Sequence, residues 1–129
     1  FGGQHVLACP ENLVGVVDLM QVPHHGNGIA PQLVSALAPT AAVSSTGARK
    51  GGSPDGYMAM ANVPGIEGIW QLHRALGTDD EHNTSDPMIA NLDENGDTGY
   101  WIKAEVQPDG SSYRIINARN QHRETYTTK

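Results

Sequence analysis

Two adjacent imidazoles, His24 and His25, are the residues of this 129-residue chain whose type and placement point most directly to chemistry. They close the apolar run Val17-Asp18-Leu19-Met20-Gln21-Val22-Pro23 and are followed at once by Gly26. A buried strand would deliver them to its C-terminal end, the edge at which α/β sheets gather ligands and metals. Two readings stand side by side: a metal-binding pair, or loop histidines whose ring nitrogens bond backbone carbonyls. The second candidate is the basic pair Arg49 and Lys50 inside Gly47-Ala48-Arg49-Lys50-Gly51-Gly52-Ser53. It could grip a phosphate or carboxylate, or be a flexible basic loop; its spacing does not match a phosphate-binding P-loop. His73 is a reserve member of the histidine group, whereas His5 reads as a surface bystander. Cys9 precedes Pro10 without a basic neighbour to activate its thiol, so it reads as a small hydrophobe.

Two acidic stretches complete the inventory. Asp79-Asp80-Glu81-His82 could hold a hard cation, but a solvated charge run is the default. Asp93 to Gly99 imitates the start of a calcium loop, yet its sixth and twelfth positions are Thr98 and Ala104 where Gly and Glu are required. A hairpin-type turn is the better reading. No Ser-His-Asp or Cys-His grouping stands out.

The elements that must position these residues follow from periodicity and punctuation. Val16 to Val22 is apolar and β-branched enough for a first strand. Asn27-Gly28 turns the chain, and Ile29, Leu33, Val34 and Leu37 mark one face of a helix beginning near Pro31. Ala38-Pro39 ends it, and Ala41 to Ser45 forms a second strand, parallel to the first because a helix crosses between them. Both basic residues and both histidines then leave the sheet at the same edge. Pro54 to Asn62 reads as a helix with Tyr57, Met58, Met60 and Ala61 as its apolar side, and a third strand runs from about Gly68 to His73. Asp86 to Leu92 resembles a capped helical turn with Pro87 at its first position. The clearest β signal is a hairpin: Tyr100 to Val106 alternates, Pro108-Asp109-Gly110-Ser111 is turn chemistry, and Ser112 to Asn117 returns antiparallel. Asn120 to Lys129 reads as a final edge strand or a frayed end. The fold class expected is therefore α/β, with parallel and antiparallel strands and helices mainly on one face, in one domain spanning residues 1–129.

Composition narrows the function. A formal charge of −6 with only eight basic residues leaves little to neutralise a phosphate track, so nucleic acid is not an expected partner. No apolar run approaches the roughly eighteen residues of a membrane span, so no membrane is expected either. One cysteine excludes an internal disulfide framework. Apolar residues make up 38% of the chain, with a single Phe, which implies a thin core.

The run Val17 to Gly26, the helix from Pro31 to Leu37, and Ala38 to Pro54 together resemble the C-terminal half of a metallo-β-lactamase-fold hydrolase. The likeness is to hydrolases similar to the hydrolase domain of the competence DNA-uptake channel protein. It implies half of an αββα sandwich, with a strand ending in His-His-Gly that supplies the last histidine of a two-zinc site. On that likeness the ligand role passes to His25, directly before Gly26, with His24 as its neighbour. The family's main zinc motif, His-x-His-x-Asp-His, occurs nowhere between Phe1 and Lys129. Lys50 and Ser53 also stand where the family often has Asn and His.

Two function classes follow. One is a hydrolase fragment, inactive alone and holding no tight zinc, whose other half is supplied elsewhere. The other is a non-catalytic half-fold module acting through homo-oligomeric association. The coding sequence upstream of Phe1 separates them. Because half a sandwich would leave its inner sheet face open, a homodimer covering that face is the packing expectation.

Overall fold

The computed structural model describes residues 11–94 and 99–129. Expectations placed on Phe1 to Pro10, including His5 and Cys9, and on the middle of the Asp93 to Gly99 loop lie outside those residues. The fold is α/β. A four-stranded parallel sheet contains β1 (Leu19–Val22), β2 (Ala41–Ser44), β3 (Gly68–His73) and β4 (Ile89–Asn91), side by side in chain order. A separate three-stranded antiparallel sheet contains β5 (Ile102–Val106), β6 (Ser112–Asn117) and β7 (Arg123–Thr127).

Helix α1 (Pro31–Leu37) connects β1 to β2, and α2 (Pro54–Ala61) connects β2 to β3. Proline opens both, at the position where a missing N–H costs nothing. The Ser53 hydroxyl caps α2 by accepting from the Gly56 N–H at 3.2 Å. Both helices pack on one face of the parallel sheet, where Met20, Val22, Val34, Ala42, Met60 and Ile69 form a shared core. α2 buries Gly56, Ala59 and Met60, while Met58 is 39% exposed and stands outside the apolar side assigned to it.

Strand β1 is shorter than its apolar run. The Asn12 side chain accepts from the Val14 and Gly15 N–H groups, Gly15 takes φ +85°, and the Val17 N–H bonds the Leu37 carbonyl. Local turn chemistry therefore claims the residues ahead of Leu19. Strand β4 replaces most of the expected helical turn: only Asp86–Met88 is helical, as a 3-10 turn, before Ile89 and Ala90 enter the sheet fully buried. A three-residue strand buried on both faces shows no alternation, and periodicity cannot distinguish it from a buried turn.

The other face of the parallel sheet is covered by the chain's own antiparallel sheet. Ala41 and Trp70 pack there against Met88, Tyr113, Ile115 and Tyr126, so the open face from which an inner-face dimer was expected does not exist at these residues. Trp70 is fully buried, and its indole N–H donates to the Tyr126 hydroxyl at 2.9 Å. That hydroxyl donates in turn to Glu124 at 2.7 Å, and the Tyr113 and Tyr126 rings stack with centroids 5.3 Å apart. Gly68 is required here, because a Cβ would stand 2.1 Å from the Tyr126 hydroxyl. At the opposite end Asn117, fully buried, donates to the Pro87 and Ile89 carbonyls, both at 2.8 Å.

Two measurable consequences follow. Asn117→Ala removes two buried hydrogen bonds, while the Ile89 and Pro87 carbonyls retain the Arg119 and Asn120 side chains as donors, and the expected loss in urea denaturation is about 1–2 kcal/mol. Burial pushes the Tyr113 phenol up to about 12, with the charges of Asp18 and Glu67 adding to the effect, and burial raises Tyr126 as well. An unfolded tyrosine releases its proton near 10 while the folded ones keep theirs. Their stabilisation is thus full below pH 10 and is lost as pH rises toward the folded value. Stability measured against pH should fall in that window, with a shallower slope in Tyr113→Phe.

Candidate functional site

His24 and His25 occupy a 3-10 turn (Pro23–Gly26) that leaves β1, and both have left-handed backbones, with φ of 54° and 55°. Each such non-glycine residue costs roughly 1–2 kcal/mol, so the turn persists only because its surroundings hold it. The Gly52 N–H donates to the His25 carbonyl at 2.8 Å, and the Ser53 hydroxyl donates to the Gly26 carbonyl at 3.2 Å. The Asn27 side chain accepts from the Ser53 N–H at 3.2 Å. Glycines form the rest of the cradle. A Cβ at Gly51 would lie 2.0 Å from the His25 carbonyl oxygen, and one at Gly56 would lie 1.7 Å from that of Gly26. The Gly51-Gly52 loop and the first turn of α2 thus shape the backbone that presents the imidazoles.

The His25 ring is oriented from β2. Its Nδ1 lies 2.9 Å from the Ser45 carbonyl oxygen and 3.3 Å from the Ser45 hydroxyl. A carbonyl oxygen can only accept, so Nδ1 carries a proton, and in the neutral ring Nε2 holds the lone pair. Among the described residues nothing bonds that Nε2. The carbonyl-bonded loop histidine and the metal-ligand histidine therefore coincide in one side chain, since metal-ligating imidazoles usually donate their other N–H to a carbonyl or carboxylate. His25 is half-buried and His24 is exposed on the same turn.

The other candidates are not gathered around it. Arg49 lies in the tight turn closed by the Gly47–Lys50 bridge, and its guanidinium is taken up by Glu94. Nε reaches Oε1 at 2.9 Å and Nη2 reaches Oε2 at 2.9 Å, a bidentate pair that raises the arginine and holds the Glu94 carboxyl below its usual range. The proposed anion grip thus already has an internal carboxylate, and Lys50 stands exposed beside it. His73 places Nδ1 2.7 Å from the Arg74 carbonyl and Nε2 3.2 Å from that of Asp93, so it ties β3 to the segment after β4.

One pairing escaped the sequence reading. Within the acidic run, Asp79 Oδ1 lies 2.6 Å from His82 Nδ1 and also accepts from the His82 N–H at 3.1 Å. The side-chain hydrogen bond to His82 is the main reason the Asp79 carboxyl sits below its usual range. The His82 ring meets Tyr57 edge-on at 6.3 Å and borders a small cavity of about 10 Å³, room for about one water molecule. An Asp-x-x-His spacing in a turn is the signal that could have revealed it.

A catalytic zinc needs three protein ligands. Among the described residues no group of three or more His, Cys, Asp or Glu could hold a metal ion. The residues present fit one ligand position, at His25, and do not fit a complete site. No helix among the described residues is long and apolar enough to cross a membrane. No protein-family model, curated protein or solved structure matches this chain.

The cradle yields a direct test. Gly51 has φ +83°, and its missing Cβ makes room for the His25 backbone. Gly51→Ala is expected to cost about 2–4 kcal/mol in chemical denaturation, and to shift the His25 ring resonances in NMR spectra. An equal change at Gly77, where a Cβ meets nothing within 4 Å, should do neither.

Proposed function

We propose that this chain is the C-terminal part of a metallo-β-lactamase-fold hydrolase, in which His25 supplies one zinc ligand and a separate N-terminal half supplies the others. The observation that carries this reading is the His25 imidazole. It is held on a strained turn at the C-terminal edge of a parallel sheet, its Nδ1–H is spent on the Ser45 carbonyl, and its Nε2 lone pair is left for a ligand. A lone surface histidine needs no such support, whereas a ligand must keep its tautomer and direction fixed.

When bound, zinc in such a site lowers the pKa of its water and polarises the substrate. This chain's own part is to orient one imidazole and to shield its backbone with the Gly51-Gly52 loop. Because it completes no metal site, the chain alone is inactive, and Arg49, engaged by Glu94, takes no part in binding an anion until that pair opens.

The test is metal titration of chelator-treated protein by calorimetry, with elemental analysis. The expected result is no pair of tightly held zinc ions, and at most one weakly bound ion whose affinity falls about tenfold or more in His25→Ala. Mixing with a polypeptide that carries His-x-His-x-Asp-His should create phosphodiester or ester hydrolysis that depends on His25. Two tight ions on the isolated chain, or metal binding indifferent to His25→Ala, would sink the proposal.

A further inference from the structure

Strand β5 is the outer strand of the antiparallel sheet, and no described strand pairs with its free edge. The direction of its backbone groups follows from the ladder with β6. Gln107 N–H donates to the Ser112 carbonyl at 2.9 Å and Ala118 N–H donates to the Trp101 carbonyl at 3.0 Å. In the Ile102–Asn117 register, Trp101, Lys103, Glu105 and Gln107 therefore aim their main-chain groups at β6. Ile102, Ala104 and Val106 aim theirs outward. The strand contains no proline that would blunt this edge, and Val106 is 67% exposed on it.

We propose that this edge pairs with the same edge of a second copy, antiparallel about a two-fold axis at Ala104, to give one continuous six-stranded sheet. In that register Ala104 faces the partner's Ala104 and Ile102 faces the partner's Val106. Every outward N–H and C=O of β5 then meets an outward group, because all three residues share the same parity. The side chains between them complement each other too: Lys103 stands opposite the partner's Glu105, twice by symmetry. Within one chain Lys103 and Arg114 both bond Glu105, each at 2.6 Å, so the outer face of the strand already holds opposite charges two residues apart. That spacing is the one a two-fold ladder needs, and like charges there would forbid it.

The pairing surface borders the candidate site. Ile102 and Ala104 line a groove of about 320 Å³ with Val43, Ser45 and Leu72 of the parallel sheet, and Ser45 is the residue that orients His25. The homodimer expected from the sequence thus falls on a strand edge instead of the inner sheet face. This inference goes beyond the metal reading and is independent of it, since zinc titration leaves it untouched.

Sedimentation velocity of the full chain from about 1 to 200 µM tests it. The expected result is a reversible monomer–dimer equilibrium. Ala104→Pro, which removes an outward N–H at a position where an edge strand tolerates proline, should weaken association at least about tenfold while circular dichroism and the thermal midpoint stay within error. Lys103→Glu and Glu105→Lys should each weaken self-association by a similar factor, and an equimolar mixture of the two should restore it as a heterodimer, because the register puts opposite charges together again. A monomer throughout the range, or a dimer indifferent to Ala104→Pro and to the charge exchange, overturns the proposal. Association only with an unlike polypeptide would also overturn it.

Discussion

The structure depends most on how one indole is satisfied. Trp70 lies at the centre of β3 with no exposed surface, and an unpaired N–H there would cost a few kcal/mol. Its partner is the Tyr126 hydroxyl, carried by the antiparallel sheet, so the same bond that satisfies the indole fixes where that sheet sits. Gly68 follows from this, being the position the hydroxyl grazes. So does the stacking of Tyr113 on Tyr126, which brings the Tyr113 hydroxyl to the Asp18 carbonyl just ahead of β1. A thin core thus gains definition from aromatic side chains with polar ends, each of which reaches a named acceptor.

On the helical face the requirement is different. There the histidine turn is strained, and it is stabilised by residues that contribute almost no side chain: Gly51 and Gly56 admit backbone against backbone, and Gly52 leaves room for the Ala75 and Thr46 side chains. The site's geometry is therefore set by main-chain hydrogen bonds and by absent Cβ atoms more than by side-chain packing. This suits a single ligand that must point in one direction while the rest of its coordination comes from elsewhere.

How far the sequence could be read depended on whether a signal was local. α1, α2, β2, β3 and the β5–β6 hairpin were legible, because apolar periodicity, opening prolines and the Pro108-Asp109-Gly110 turn each act within a few residues. β4 was not, since its identity comes from pairing with β3 and burial on both faces. The covering of Trp70 was also hidden: Tyr126 lies 56 residues away, and nothing near either residue announces the other. At the site, the His24-His25 pair stood out by type, but the positive backbone angles and the Ser45 carbonyl that orients His25 are tertiary facts. The Arg49–Glu94 pair, 45 residues apart, was invisible for the same reason, and it changes what the basic loop has to offer.

The separation between Trp70 and Tyr126 bears on how the chain acquires its shape in time. The parallel sheet, its helices and the histidine cradle are joined by neighbouring segments, so they can assemble once β4 has been made. The face bearing Trp70 must then wait for two further antiparallel crossings before Tyr113 and Tyr126 arrive, and distant pairings of that kind are slow to close. A vectorially synthesised chain therefore passes through a state whose histidine turn is built while its indole face is still wet, an adhesive intermediate of the sort that chaperones recognise.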